Sequence, residues 1–281
     1  MPLPWRRLTT PCVLAALLLA TSGCASSVVA ADPRTSGPSA PSAAPGGAPT
    51  TSARDTSPVV VVGMGDSVTA GTACSCSTFV DRYAAMLHQH SGRSTSAVNL
   101  GTEGLTSVGL STQLSSPGVR SQLAHATLVV LTIGANDLEP LIGRWQSQGC
   151  PASTCIDPAT AAMGSQLGTD LRQVRTEVSP SARVLVTTYW NVFEDGDVGE
   201  QNYGKAFHPW SDAVTKSANA QICSAAQASG DTCVDLYTPF EGDGERNPTD
   251  LLADDGDHPN AQGHELIAEA LLEAEPLDPT S

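Results

Sequence analysis

The run VVVVGMGDSVTAG at 59–71 carries a row of β-branched residues straight into Gly65, Asp66 and Ser67. A serine hydroxyl is a weak nucleophile at neutral pH. It needs a base to take its proton and donors to hold an oxyanion. The base is normally an imidazole oriented by a carboxylate. Six histidines occur in the chain. His88, His90 and His125 have no acid at useful spacing and read as surface or core residues. His208 is followed by proline, but Lys205 stands where the acid would be. His258 differs. It sits in LLADDGDHPNAQGH, with Asp255 three residues before it, Gly256 between them and Pro259 after. One turn can hold this acid and imidazole together, the carboxylate reaching Nδ1–H and leaving Nε2 free. The same stretch also reads as an acidic helix entry, and Gly-Asp-Ser is also ordinary turn chemistry, so neither stretch decides the matter locally. The rival G-x-S-x-G elbow is absent, because Thr69 stands at its second glycine.

Such residues need elements to position them. Five short apolar runs read as strands covered on both faces: 58–64, 96–101, 126–134, 182–190 and 232–237. Helical stretches lie between and after them. At 77–92, Phe79, Tyr83, Met86 and Leu87 share one face, with Ser77 or Thr78 as N-cap and Gly92 as stop. The stretch 157–178 opens on Asp-Pro, 208–230 ends on Gly230, and 260–274 is the last. Strand alternating with helix predicts an α/β fold, a three-layer sandwich with a five-stranded parallel sheet. Sites in such sheets gather at the carboxyl ends of strands. Ser67 follows the first run, Gly101 to Gly104 the second and Asn136 the third.

The blocks GDSVTAG, NLGTEGLTS, TIGAND and DGDHPN occur in this order, each after a predicted strand. Together they resemble the four signature blocks of the SGNH hydrolases, the GDSL esterase/lipase family, over residues 58 to 273. Val68 replaces the family's leucine, an apolar swap. The resemblance implies the flavodoxin-like SGNH hydrolase fold and a carboxylic ester hydrolase with no cofactor. It implies Ser67 as nucleophile and Asp255 and His258 as the acid and base. It also implies an oxyanion hole from the Ser67 N–H, the Gly104 N–H and the Asn136 side chain. Gly101 competes with Gly104, but Gly104 precedes LTS as the family's glycine precedes a short polar helix entry. Asp66 and Asp137 match the motifs as residues that brace loops. The substrate implied is a lipid, short-chain or carbohydrate acetyl ester. A non-catalytic binding protein on the same fold is the alternative from another class.

The rest of the chain bounds where this chemistry would run. Residues 1–24 have a positive start at Arg6 and Arg7, the apolar centre VLAALLLA, and the end TSGC. TSGC is acceptable as a lipobox, which would acylate Cys24; an ordinary signal peptide cleaved after CASSVVAA, where Ala-Ser-Ser and Val-Ala-Ala offer sites, is the other reading. Residues 25–57 are Ala, Ser, Pro, Gly and Thr without an aromatic, a composition that cannot offset its chain entropy and reads as a tether. A single domain is expected at 58–276, with export, membrane association only through Cys24, and a monomeric state.

The chain holds 14 basic and 29 acidic residues. Arg6, Arg7, Arg34, Arg54, Asp32 and Asp55 precede residue 58, so the domain carries 10 against 27, a formal charge of −17. That surface repels nucleic acid and anionic headgroups. Six cysteines remain beyond Cys12 and Cys24. An even count on an exported chain reads as disulfides. Cys150–Cys155 and Cys223–Cys233 are the natural local pairs, each worth roughly 2–3 kcal/mol in the chain-entropy model. Cys74 and Cys76 are left to each other across one residue, an uncommon bridge among about fifteen formal pairings for six cysteines. The spacings do not repeat a zinc knuckle. The acidic stretches 194–200 and 241–250 miss the calcium-loop pattern and read as solvated loops. Trp145, Trp190 and Trp210 could line a pocket or pack as core.

Overall fold

The computed structural model describes residues 56–277. The leader, Cys24 and all but the end of the tether lie outside the described residues. Five strands form one sheet: β1 (Val59–Gly65), β2 (Thr95–Gly101), β3 (Leu128–Thr132), β4 (Arg183–Thr187) and β5 (Thr232–Val234). Every pairing is parallel, in the order β2-β1-β3-β4-β5. The first crossover runs from β1 outward to β2, and the next steps back across β1 to β3. Right-handed connections therefore put the helix after β1 on one face and the helices after β2, β3 and β4 on the other. Packing agrees: Phe79–Ser91 lies against Ala261–Ala274, while Ile156–Glu177 lies against both Ser107–Leu114 and Phe207–Ala228. The reversal between β1 and β3 opens a crevice at their carboxyl ends.

Burial follows position in the sheet. β3 is buried at every residue and β1 at all but one, so both read as continuous apolar runs. β2 is an edge strand, and every residue of it keeps some exposure, contrary to the expectation that it is covered on both faces. The fifth run stops being strand after three residues, because the chain turns into the helix Tyr237–Glu241. Thr78 caps Phe79–Ser91 by accepting the Asp81 N–H, and Gly92 ends it at φ +69°. Asn260 caps the last helix by accepting from Gln262 and Gly263. Two helices inside the second crossover, Ser107–Leu114 and Pro117–Ala124, were not visible in the pattern because few of their residues are both apolar and buried.

Cys74–Cys76, Cys150–Cys155 and Cys223–Cys233 are all bonded. The acidic stretches are only partly solvated. Asp195 and Glu241 are buried, 3% and 1% exposed. Asp195 caps the helix Gly196–Tyr203 by accepting the Gly196 N–H, and it also accepts Asn191 Nδ2–H. Burial first, and then the nearby Asp195 and Asp212 carboxylates, push the Glu241 carboxyl up to about 9. A run of acids conceals such residues because local composition does not show which side chain turns inward. Among the described residues, no helix is long and apolar enough to cross a membrane.

Candidate active site

β1 ends at Gly65, whose backbone sits at φ +125° directly against β3. A Cβ there would stand 1.8 Å from the Thr132 carbonyl oxygen, so only glycine fits. Asp66 follows as the N-cap of the short helix Ser67–Ala70 and accepts the Val68 N–H at 3.1 Å. Its carboxylate also accepts the Thr132 hydroxyl at 2.9 Å and the Tyr189 hydroxyl. Burial drives the Asp66 carboxyl up to about 6, and those hydrogen bonds oppose the rise. Asp66 thus fixes the backbone on either side of Ser67 without facing the cleft as a free acid. Ser67 is half-buried, and among the described residues its hydroxyl has no hydrogen-bond partner.

The imidazole comes from the loop before the last helix. His258 Nδ1 stands 2.8 Å from Asp255 Oδ2. The other oxygen, Oδ1, accepts the backbone N–H groups of Asp257 and His258, each at 3.0 Å. Burial raises the Asp255 carboxyl, but the N–H donors and the ring of His258 outweigh it, and the net shift is downward. An ionised carboxylate only accepts, so in the neutral ring the proton is on Nδ1 and the lone pair on Nε2. Gly256 makes the turn at φ +70°, where a Cβ would meet Val198. The His258 carbonyl accepts the Ala253 N–H, which holds the turn closed.

Ser67, Gly104, Asn136 and His258 all line one cleft of about 270 Å³. Asp255 stands behind His258. Gly104 is exposed at φ +70° with open space on its Cβ side. Gly101, the competing glycine, is absent from the cleft lining; its missing Cβ lets β2 pass the backbone of Thr69 and Ala70. Asn136 donates one Nδ2–H to the Leu105 carbonyl at 2.9 Å, leaving the second N–H of its amide. Asp137 accepts the Ser107 hydroxyl at 2.6 Å and the Ser107 N–H at 2.9 Å, tying the third block to the second.

Other residues also line the cleft. Asp257 lies 3.9 Å from His258 Nε2 through Oδ2. Partial burial, with the Asp255, Asp66 and Glu194 carboxylates around it, pushes its carboxyl up against the pull of His258. Tyr189 is buried well enough that its hydroxyl stays protonated; both burial and Asp66 raise it. It stands two residues beyond the end of β4, so the rule that places sites after strands could have found it. Trp190 also lines the cleft and stacks on Phe240, centroids 4.4 Å apart. Trp145 and Trp210 instead stack on each other at 5.3 Å, in a cluster with Phe193 and Phe207. Phe193 and Tyr203 carry that cluster to the cleft wall.

The family model described as GDSL-like lipase/acylhydrolase matches residues 64–266. The chain belongs to that family. Solved structures agree in fold. A lipase from a goat rumen metagenome superposes with TM-score 0.65 at 18% identity, over 77% of this chain and 97% of its own. An acetylxylan esterase from Geobacillus stearothermophilus gives 0.56 at 18%, over 79% and 96%. An extracellular lipase from Streptomyces rimosus gives 0.56 at 20%, over 77% and 99%. At these identities the likeness concerns the α/β fold with its five-stranded parallel sheet. No curated protein matches the chain.

Proposed function

We propose that this acylhydrolase-family chain is an exported serine esterase that cleaves carboxylic esters with Ser67, His258 and Asp255. The supporting observation is the single cleft lined by Ser67, Gly104, Asn136 and His258, with His258 held by Asp255 at 2.8 Å. Ser67 Oγ attacks the ester carbonyl carbon while His258 Nε2 takes the hydroxyl proton. Charge collects on the carbonyl oxygen, where the N–H groups of Ser67 and Gly104 and the free Asn136 N–H donate. His258 returns the proton to the leaving alcohol as the C–O bond breaks, leaving an acyl-serine. Water, deprotonated by His258, attacks that acyl group and releases the acid and the free serine. Asp255 keeps the ring in the working tautomer throughout.

The cleft is smaller than the roughly 300–1,000 Å³ that suits a drug-sized ligand. Acetyl and other short acyl groups fit within that volume. The acetyl group on a carbohydrate is the second reading, favoured by the rim carboxylates Glu103, Glu139 and Glu194, which can accept sugar hydroxyls. One fold relative is an acetylxylan esterase and two are lipases. A nitrophenyl ester series from acetate to palmitate, run beside acetylated xylooligosaccharides, tests the reading. Turnover highest at two to four carbons supports it. A preference for long chains, or no ester turnover at all, overturns it. The reading includes export by residues 1–24, acylation of Cys24 and a monomeric state. The acidic surface keeps nucleic acid and anionic lipid away.

A further inference from the structure

The loop at 71–78 joins the Ser67 helix to Phe79–Ser91 and carries the Cys74–Cys76 disulfide, both cysteines partly exposed. Beside it stands His264 of the last helix, with no exposed surface at all. One of its ring nitrogens and both sulfurs lie within 4.8 Å of one another. His264 Nδ1 accepts the Phe79 N–H at 3.2 Å. A ring nitrogen that accepts carries no proton, so in the neutral ring the proton is on Nε2. Burial first, then the charges of Arg82 and His258, hold the ring pKa down to about 4, so the neutral form prevails at physiological pH. The Nε2–H is buried with no hydrogen-bond partner. Such a donor is costly to leave unmet. A disulfide sulfur is a poor acceptor, whereas a thiolate is a charged one.

We propose that Cys74–Cys76 is a thiol–disulfide exchange site for an external dithiol, in which the neighbouring His264 ring turns its unmet N–H to the thiolate released. A thiolate of the dithiol attacks one cysteine sulfur, forms a mixed disulfide and expels the other cysteine as a thiolate beside His264. The second thiol of the dithiol then breaks the mixed disulfide. The dithiol leaves oxidised, its two hydrogens pass to the protein thiols or solvent, and Cys74 and Cys76 are reduced. The other pairs lack this arrangement. Cys150 and Cys155 are buried at 5% and 3% exposure, and among the described residues no histidine or carboxylate stands as close to both sulfurs of another disulfide. The cluster is not a preformed metal site either. Nδ1 already holds the Phe79 N–H and Nε2 carries the proton, so the neutral ring offers a metal no free lone pair.

The folded protein should be titrated with dithiothreitol, quenched by alkylation and mapped by mass spectrometry. Cys74 and Cys76 are expected to label before the other four cysteines. After selective reduction at pH 7, they should alkylate about tenfold faster in the wild type than in His264→Phe, the effect of one hydrogen bond to a thiolate. His264→Gln, which restores an N–H donor, should recover most of that rate and serves as the comparison where the Phe variant does not fold. Joint reduction of all three pairs, or equal alkylation rates with and without the donor, overturns the proposal. So does stoichiometric zinc uptake by the reduced protein. None of these readouts depends on ester turnover.

Discussion

Replacing Asn136 by alanine separates the chemistry from the fold. Asn136 has two amide hydrogens: one bonds the Leu105 carbonyl at 2.9 Å, and the other is assigned to the oxyanion. Losing the first costs about 1 kcal/mol of stability. In a domain of this size that lowers Tm by about 2–4 °C. Losing the second removes a donor used only when charge develops, which costs on the order of 10²–10³ in kcat with KM little changed. The two effects differ greatly in size. Destabilisation of about 1 kcal/mol leaves almost all molecules folded at 25 °C, so it cannot account for a hundredfold loss of turnover. The assay is nitrophenyl acetate hydrolysis with active sites counted by a fluorophosphonate, alongside thermal melting. Asn136→Ala with wild-type-like turnover per active site would falsify the oxyanion assignment. So would a loss of rate that merely tracks the unfolded fraction.

Other perturbations probe the supports. Asp255→Asn lets the side-chain amide donate toward Nδ1 and favours the wrong tautomer, so kcat at neutral pH should fall on the order of 10⁴; a loss under tenfold contradicts the role of that carboxylate. Glu241 has a folded-state pKa raised to about 9 from its ordinary 4.5, by burial and then by Asp195 and Asp212. Its contribution to stability is therefore fully present below pH 4.5 and fades as pH rises towards 9. Urea midpoints should drop between about pH 5 and 8, and Glu241→Gln should flatten that slope; parallel slopes refute the account. Gly65→Ala drives a Cβ into the Thr132 carbonyl and should cost more than about 4 kcal/mol, read from the yield of folded protein and from urea unfolding. An unchanged midpoint there shows that the close approach of β1 and β3 is wrong.

The sheet was legible because buried parallel strands are written as short apolar runs, and β1 and β3 are of that kind. β2 misled because an edge strand keeps one side near solvent yet uses the same residue types. Asp255 and His258 were legible because their contact is made within one turn, where spacing is nearly geometry. Gly104 and Asn136 stood out only as residues that follow strands, and their role came through the family resemblance; the cleft they share with Ser67 is built by chain crossing between distant segments. Tyr189, 123 residues from Asp66, could not be paired with it from spacing. Glu241 was hidden for a related reason: an acidic stretch shows charge, whereas burial depends on what the rest of the chain places over it.

The central claim is that Ser67 is a nucleophile activated by His258. Treating the folded chain with a fluorophosphonate and mapping the modified peptide tests it directly. The account predicts one phosphonyl group, on Ser67, acquired far more slowly when His258 is replaced by glutamine. A folded protein that takes no label, or takes it on another residue at an unchanged rate in the His258 variant, contradicts it.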